Sequence, residues 1–383
     1  ITDTTKTKKI LEKKRAYAQA NELKNKLKVS HNKFLVLIDY LKAIVAQGIA
    51  QVEWSRGNYD ESLRQFERAV EINALPDKTH YQLMYQIAQL YYMKERFKEA
   101  LAKLDLWFCK VPEEQHVASA YVLKASIYSQ TQNWPEVLKA IETAIAMSEE
   151  PEENWYLLKL AAHYEMEDWP KVADTLTILV SQWPDKKQYW TQLSNVYVKL
   201  QEDDKALSTI ALAYRKNLLN TESDLLYLAN LYSFRDLPCK SALVMEKGMN
   251  DGIISKSEKH WTVTGDNFYA AEEMEKALES FEKAGELADS GKIDLRRGFI
   301  LIDQERWQDA SAALSSAIEK GGMSDTQTGE AHLMHGMAQF QLGNYDRASA
   351  SWGRASRYEK TRKDAQQWMN HMREERARKS AAL

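Results

Sequence analysis

The sequence predicts an all-α chain built from stacked two-helix repeats, and three observations predict it. Only 14 Gly and 7 Pro occur in 383 residues, so few breaks interrupt a chain rich in helix formers. Gly329 to Lys360, GEAHLMHGMAQFQLGNYDRASASWGRASRYEK, reads as two short amphipathic helices joined by Gly-Asn-Tyr-Asp. Gly336 is small where the helices approach, Gly343 and Asn344 make the turn, and Tyr345 packs behind it. On the second helix Trp352 stands between the small Ala348 and Ala355. The third observation is that this small–bulky–small order can be followed back through most of the chain.

Residues 1–42 read as a basic N-terminal helical segment carrying Lys6, Lys8, Lys9, Lys13, Lys14, Arg15, Lys24, Lys26 and Lys28. Ile10, Leu11, Ala18, Leu23 and Leu27 supply a thin apolar stripe, so a solvated helix covering the open N-terminal edge is expected. The sharper alternative is a basic arm for a membrane surface or nucleic acid. Phe34–Val52 is the most apolar run. Asp39, Lys42, Gln47 and Gln51 argue against its sitting unaided in a bilayer core, and it reads as the first half of the first repeat.

From there a turn followed by a small–bulky–small helix recurs. Gly57-Asn58-Tyr59 leads to Phe66 and Ala69, and Phe97 to Ala100, Leu104 and Trp107, a tryptophan where alanine is usual. Trp134 leads to Val137, Ile141 and Ala144; Trp169 to Val172, Leu176 and Leu179; Asp203 to Ala206, Ile210 and Ala213. Pro238 precedes Ser241, Met245 and Gly248 in the weakest unit, whose turn FRDLPCK lacks Gly, Asn and the aromatic. Met274 leads to Ala277, Phe281 and Ala284, Trp307 to Ala310, Leu314 and Ala317, and Tyr345 closes the series. The first helices agree, as in Trp190, Leu193, Ser194 and Tyr197. About nine units span residues 43–359, spaced by about 33 to 38 residues. The stretch GMNDGIISKSEKH and Gly321-Gly322 are longer connections, suited to hinges or contact sites. Residues 360–383 form a capping helix and tail, with Thr361, Ala365, Trp368, Met369 and Met372 on one side.

A unit of this order and length is similar to the tetratricopeptide repeat (TPR), a 34-residue helix–turn–helix. That implies an all-α, right-handed superhelical TPR solenoid with a C-terminal capping helix.

Little points to chemistry. Charged residues make up 28% and apolar ones 44%, and the formal net charge of −3 gives no general pull toward nucleic acid or anionic lipid. Cys109 and Cys239 lie in different repeats without CxxC spacing, so two free thiols are expected. His332 and His335 have a spacing that can serve a metal, but no third ligand accompanies them. The run Glu149–Glu153 reads as a solvated loop. With no nucleophile elbow, phosphate loop or acid–base set, the chain is expected to be non-enzymatic and without cofactor or metal.

A TPR array offers a concave groove lined by the first helix of each unit. Register places Tyr85, Gln89 and Tyr92 there, then Ser126, Tyr164, Thr191 and Asn195, Tyr227 and Asn230, and Asp266 and Tyr269. The amides suit the backbone of an extended peptide, and the tyrosines offer stiff contact area with a polar tip. No ordered Lys/Asn/Arg set lines this face, which argues against capture of a chaperone's C-terminal carboxylate.

Tyr189–Ser194 (YWTQLS), the stretch EKGMNDGII and the closing NYDRASASWGRASRYEKTRKDAQQW are more specific. They resemble the TPR-domain proteins that accompany TonB energy-transduction systems of Gram-negative bacteria, over roughly the C-terminal two-thirds. The resemblance implies a periplasmic scaffold assisting a TonB–ExbB–ExbD complex, with a TtpC-like component, in iron uptake, with peripheral proximity to the inner membrane. It supplies no catalytic residues. The alternatives are a cytoplasmic TPR adaptor for another assembly and, less favoured, a nucleic-acid-associated protein using the basic arm.

Overall fold

A computed structural model describes the backbone of residues 2–381 and the side chains of residues 14–378. Among the described residues there are nineteen α-helices, one 3-10 turn at Glu113–Gln115 and no strand. They form nine antiparallel hairpins and a final helix. The hairpins are α1 (Thr2–Ser55) with α2 (Tyr59–Ile72), α3 (Asp77–Met93) with α4 (Phe97–Lys110), and α5 (Ala118–Gln130) with α6 (Trp134–Ala146). Next come α7 (Glu153–Glu165) with α8 (Trp169–Gln182), α9 (Lys187–Lys199) with α10 (Asp203–Arg215), and α11 (Glu222–Phe234) with α12 (Pro238–Asn250). The last are α13 (Glu258–Ala270) with α14 (Met274–Leu287), α15 (Lys292–Asp303) with α16 (Trp307–Lys320), and α17 (Asp325–Gln341) with α18 (Tyr345–Ala355); α19 is Arg362–Ala381. The chain divides into two compact units, residues 1–179 and 180–383.

Each hairpin is closed by the same turn. The second residue after the first helix sits in the left-handed region: Gly57, Glu95, Gln132, Glu167, Gln201, Asp236, Glu272, Glu305 and Gly343, with φ between 53° and 77°. Its N–H bonds back three residues, as Glu272 N does to Tyr269 O at 3.0 Å, and the next N–H reaches back five, as Glu273 N does to Phe268 O at 2.9 Å. This pair of bonds is the Schellman motif, which satisfies orphan carbonyls at a helix end. The weak unit at Pro238 uses it too. Asp236 has φ 53° and Leu237 N bonds Tyr232 O at 2.9 Å, so the backbone bonds hold the turn without Gly, Asn or the aromatic.

Small residues let the two helices of a hairpin close, and large ones fill the seam between hairpins. A Cβ on Gly336 would lie 2.4 Å from Trp352 Nε1, and that indole donates to Leu333 O at 3.1 Å. In the first unit Ala43, Ala46 and Ala50 of α1 pack with Leu63, Phe66 and Ala69 of α2, and the core runs on through α3 to α5. In the second unit, Trp352, Ala355, Ala365 and Met372 form one cluster, so α19 covers the last hairpin with the side the sequence assigned to it. Thr361 is buried beside them, its hydroxyl donating to Ala355 O at 2.8 Å. The long connection after α12 is tied down rather than loose: Ile254 is 1% exposed and packs where a Cβ on Gly248 would stand.

The start of the chain departs from expectation. α1 is one unbroken helix through the first repeat, and every residue from Lys14 to Leu37 is exposed, so this stretch covers no edge of the array. The side chains of Lys6, Lys8, Lys9, Ile10, Leu11 and Lys13, and that of Lys379, lie outside the described residues. By length and composition the stretch Lys14–Ser55 is sufficient to cross a membrane. Its C-terminal part is committed to α2 through Ala43, Ala46 and Ala50.

The turn geometry makes opposite predictions for two substitutions. An L-residue strains at a left-handed position and Gly does not, so Gly343→Ala should destabilise the chain by about 1 kcal/mol. At the exposed Glu272, Gly should stabilise it by about 0.5 kcal/mol after the entropy of the unfolded chain is counted. Urea midpoints of the two variants against the parent check both signs.

Candidate protein-binding face

In the first unit the first helices α3, α5 and α7 touch in succession, and in the second α15 and α17 do so. The residues expected on the groove fall into two sets, one in each unit. Tyr85, Gln89 and Tyr92 lie on α3, Ser126 on α5 and Tyr164 on α7. In the second unit Thr191 and Asn195 lie on α9, Tyr227 and Asn230 on α11, and Asp266 and Tyr269 on α13.

These side chains are not equally free to meet a partner. Tyr85 is half-buried, its ring 5.8 Å from that of Trp107 and its hydroxyl hydrogen-bonded with Ser119 and Gln89. Burial raises the pKa of Tyr85, as it does those of Tyr164 and Tyr227. Tyr92 rests on Phe97 at 5.8 Å and Tyr164 meets Trp169 edge-on at 5.8 Å, so both brace their own hairpin turns. The Ser126 and Thr191 hydroxyls donate to carbonyls of their own helices, Val122 O at 2.9 Å and Gln188 O at 3.0 Å. The Tyr227 hydroxyl is 3.0 Å from Ser194 Oγ, which donates to Ala206 O at 2.9 Å, a tie between neighbouring hairpins. Asp266 is ion-paired with Arg296, whose guanidinium also lies over the Tyr269 ring at 5.9 Å. Asn195, Asn230 and Tyr269 are exposed.

One feature of this face was not read from the sequence. Trp107 occupies the alanine position of its repeat, and an indole there needs room. Beside it opens a cavity of about 720 Å³ lined by Tyr81, Gln82, Tyr85, Trp107, Gln115 and Val117. Trp107 Nε1 donates to Tyr81 O at 3.0 Å. His116 lies 3.1 Å from both Tyr121 Oη and Val111 O, pinning the connection between α4 and α5 along the cavity's rim. The available signal was the tryptophan itself, read together with the seven-residue link VPEEQHV that follows α4.

The two histidines at metal-compatible spacing serve packing. His332 is 7% exposed and stacks on Tyr358, while His335 Nδ1 is 2.8 Å from Ser351 Oγ and its Nε2 3.2 Å from Ser315 Oγ. Among the described residues no three His, Cys, Asp or Glu side chains gather as a ligand set. Cys109 and Cys239 are free thiols, the first exposed.

Burial, reinforced by Arg354, His335 and Arg357, pushes the His332 pKa down to about 4 from an ordinary 6.5. Burial also lowers that of His335, with Arg347 and Arg354 adding to it. A lowered histidine pKa means the unfolded chain takes up the proton first. The associated stability is complete above pH 6.5 and is lost as pH falls toward about 4. Urea unfolding followed from pH 7.5 to 4.5 should show this decline, and His332→Asn should make it shallower, with the contribution of His335 remaining.

The architecture defines a class: an array of antiparallel helical hairpins, each sealed by a left-handed turn. The family model described as Tetratricopeptide repeat matches residues 42–105 and a second TPR model matches residues 295–366, hairpins at both ends of the array. These two stretches are tetratricopeptide repeats, and the chain has an all-α TPR fold. No curated protein matches it. Similar solved structures include Naa15/Naa10 bound to HypK-THB, at 12% identity over 84% of this chain and 64% of that one, TM-score 0.45. A tetratricopeptide repeat protein from Parabacteroides merdae is 12% identical over 65% of this chain and 93% of that one, TM-score 0.38. YrrB, described as a TPR protein with an unusual peptide-binding site, is 16% identical over 52% and 99%, TM-score 0.35. Likeness at this level carries nothing about a partner.

Proposed function

We propose that this chain is a non-enzymatic scaffold that holds an extended or helical segment of a partner protein along its first helices. The observation that carries this reading is the cavity beside Tyr85 and Trp107, an aromatic-walled recess on the face the repeat uses for recognition. Asp77 and Lys78 also line the recess, so it suits a bulky side chain that carries a polar or charged neighbour as an anchor, the arrangement in which few residues supply most of the binding energy. In the second unit the exposed Asn195 and Asn230 offer paired donor and acceptor groups for a peptide backbone. The tyrosines that brace turns or tie hairpins together hold this surface in shape. Rigid presentation limits the ordering this chain itself must undergo on binding.

The setting we propose rests on the resemblance of YWTQLS, EKGMNDGII and the closing stretch to the TPR proteins of TonB systems. It is periplasmic, beside the inner membrane, with a component of a TonB–ExbB–ExbD complex or its TtpC-like partner as the bound protein. Crosslinking pull-down from a Gram-negative host expressing the full gene should recover such a component. Recovery of cytosolic proteins alone would overturn the setting and leave an adaptor for another assembly. Tyr85→Ala should weaken binding of the recovered partner by about tenfold or more, and Asn195→Ala with Asn230→Ala by several-fold, with the thermal midpoint of the double variant unchanged.

A further inference from the structure

His163 stands at a position that the other hairpins fill in a regular way. It lies four residues before the left-handed Glu167. Its carbonyl accepts the Asp168 N–H at 3.0 Å, the back-bond that closes the turn between α7 and α8. The same place is held by Tyr91, Tyr128, Tyr197 and Tyr232 in four other hairpins and by Phe268 on α13. A tyrosine there is long enough to reach a partner, as Tyr91 does in donating to the Glu67 carboxylate at 2.8 Å. An imidazole is shorter. His163 is 4% exposed, and among the described residues neither of its ring nitrogens has a hydrogen-bond partner. Buried polar atoms left unpaired cost stability, so packing alone does not favour histidine over Tyr or Phe at this place.

What histidine adds is a charge that acid can switch on. The charged groups acting on the ring are Lys159 on α7, Lys171 on α8, Asp168 in the turn and Glu142 on α6. Burial lowers the pKa of His163, Lys159 and Lys171 lower it further, and Asp168 and Glu142 oppose them without prevailing. Neither carboxylate is idle. Glu142 is ion-paired with Lys159 at 2.7 Å, and Asp168 Oδ1 accepts the Lys171 N–H at 3.3 Å, capping the start of α8. An imidazolium here either stays unpaired in the core or takes a carboxylate from its present partner, loosening α7 from α6 or undoing the cap of α8. The ring is therefore neutral in the closed hairpin. As pH falls below 6.5 the opened form takes up the proton first, so acid favours opening. Each hairpin of a repeat array contacts chiefly its neighbours, which allows one to open while others stay shut.

We propose that His163 makes the α7–α8 hairpin an acid-opened joint in the first unit: the hairpin is closed while the ring is neutral and opens locally when the ring takes a proton, carrying Tyr164 and its part of the first-helix face with it. The device works without a partner and is independent of what that face binds.

Hydrogen exchange read by mass spectrometry on the full chain, compared at about pH 7.5 and about pH 5.5 after correction for intrinsic rates, follows each hairpin separately. Amides of α7 and α8 should open up to about tenfold more often at the lower pH. Those of α9 to α12, a stretch without histidine, should change less than about twofold. His163→Tyr, the residue of the neighbouring hairpins, should abolish the acid response while leaving exchange at the higher pH as slow as in the parent. His163→Phe, the residue found on α13, should do the same without a polar tip. Three results would overturn the proposal: exchange in α7 and α8 that ignores pH, opening that spreads evenly over all hairpins, or an acid response that persists in the two variants. The first two are read on the parent alone.

Discussion

One backbone conformation recurs at the turn inside every hairpin of this chain, and the array depends on it. A hairpin of two helices can close within three residues only if the first helix is stopped sharply, its last carbonyls satisfied and the chain turned back at once. A left-handed residue followed by a five-residue back-bond does all three. Because the constraint lies in the backbone, it tolerates Glu, Gln and Asp at seven of its positions and Gly at Gly57 and Gly343. Side-chain packing then finishes what the turn begins: small residues such as Gly336 fix how close the helices come, and Trp352 or Phe66 fills the space beside the facing helix of its own hairpin.

The hairpins were legible in the sequence because both devices leave marks at fixed offsets. Even the unit at Pro238, which lacks the usual turn residues, kept Ser241, Met245 and Gly248 in register, and its turn closes like the others. The binding face was less legible, since helical register says which side a residue is on and not what its polar tip is doing. Tyr227 and Asn230 sit three apart on α11, yet one hydroxyl is tied to Ser194 and the other residue faces water. The Trp107 cavity was missed because it arises from a departure from the repeat and a long link acting together. At the start of the chain, the stripe with Leu23 and Leu27 was visible, but a stripe does not say where its neighbour is. No sequence signal ended the helix before Ser55, and the structure shows none: the helix runs on and leaves the stripe bare.

The two ends of the array are therefore finished differently. At the C-terminal end α19 lays Ala365 and Met372 on the last hairpin, as terminal repeats need if their apolar face is not to stay in water. At the other end the first hairpin has α1 as one of its own helices, and α1 carries an apolar seam past the end of α2. Surfaces on a repeat array are cheap to vary independently, because each hairpin contacts chiefly its neighbours.

The continuity of α1 also has a mechanical meaning. No joint separates its exposed length from the first hairpin, so that length is a stiff handle on the array. A pull on the handle is not absorbed by a flexible linker. It arrives as shear along the contact of Ala43, Ala46 and Ala50 with Leu63, Phe66 and Ala69. Tyr40 and Trp54 pack against the same contact, so the load enters the array through one continuous core.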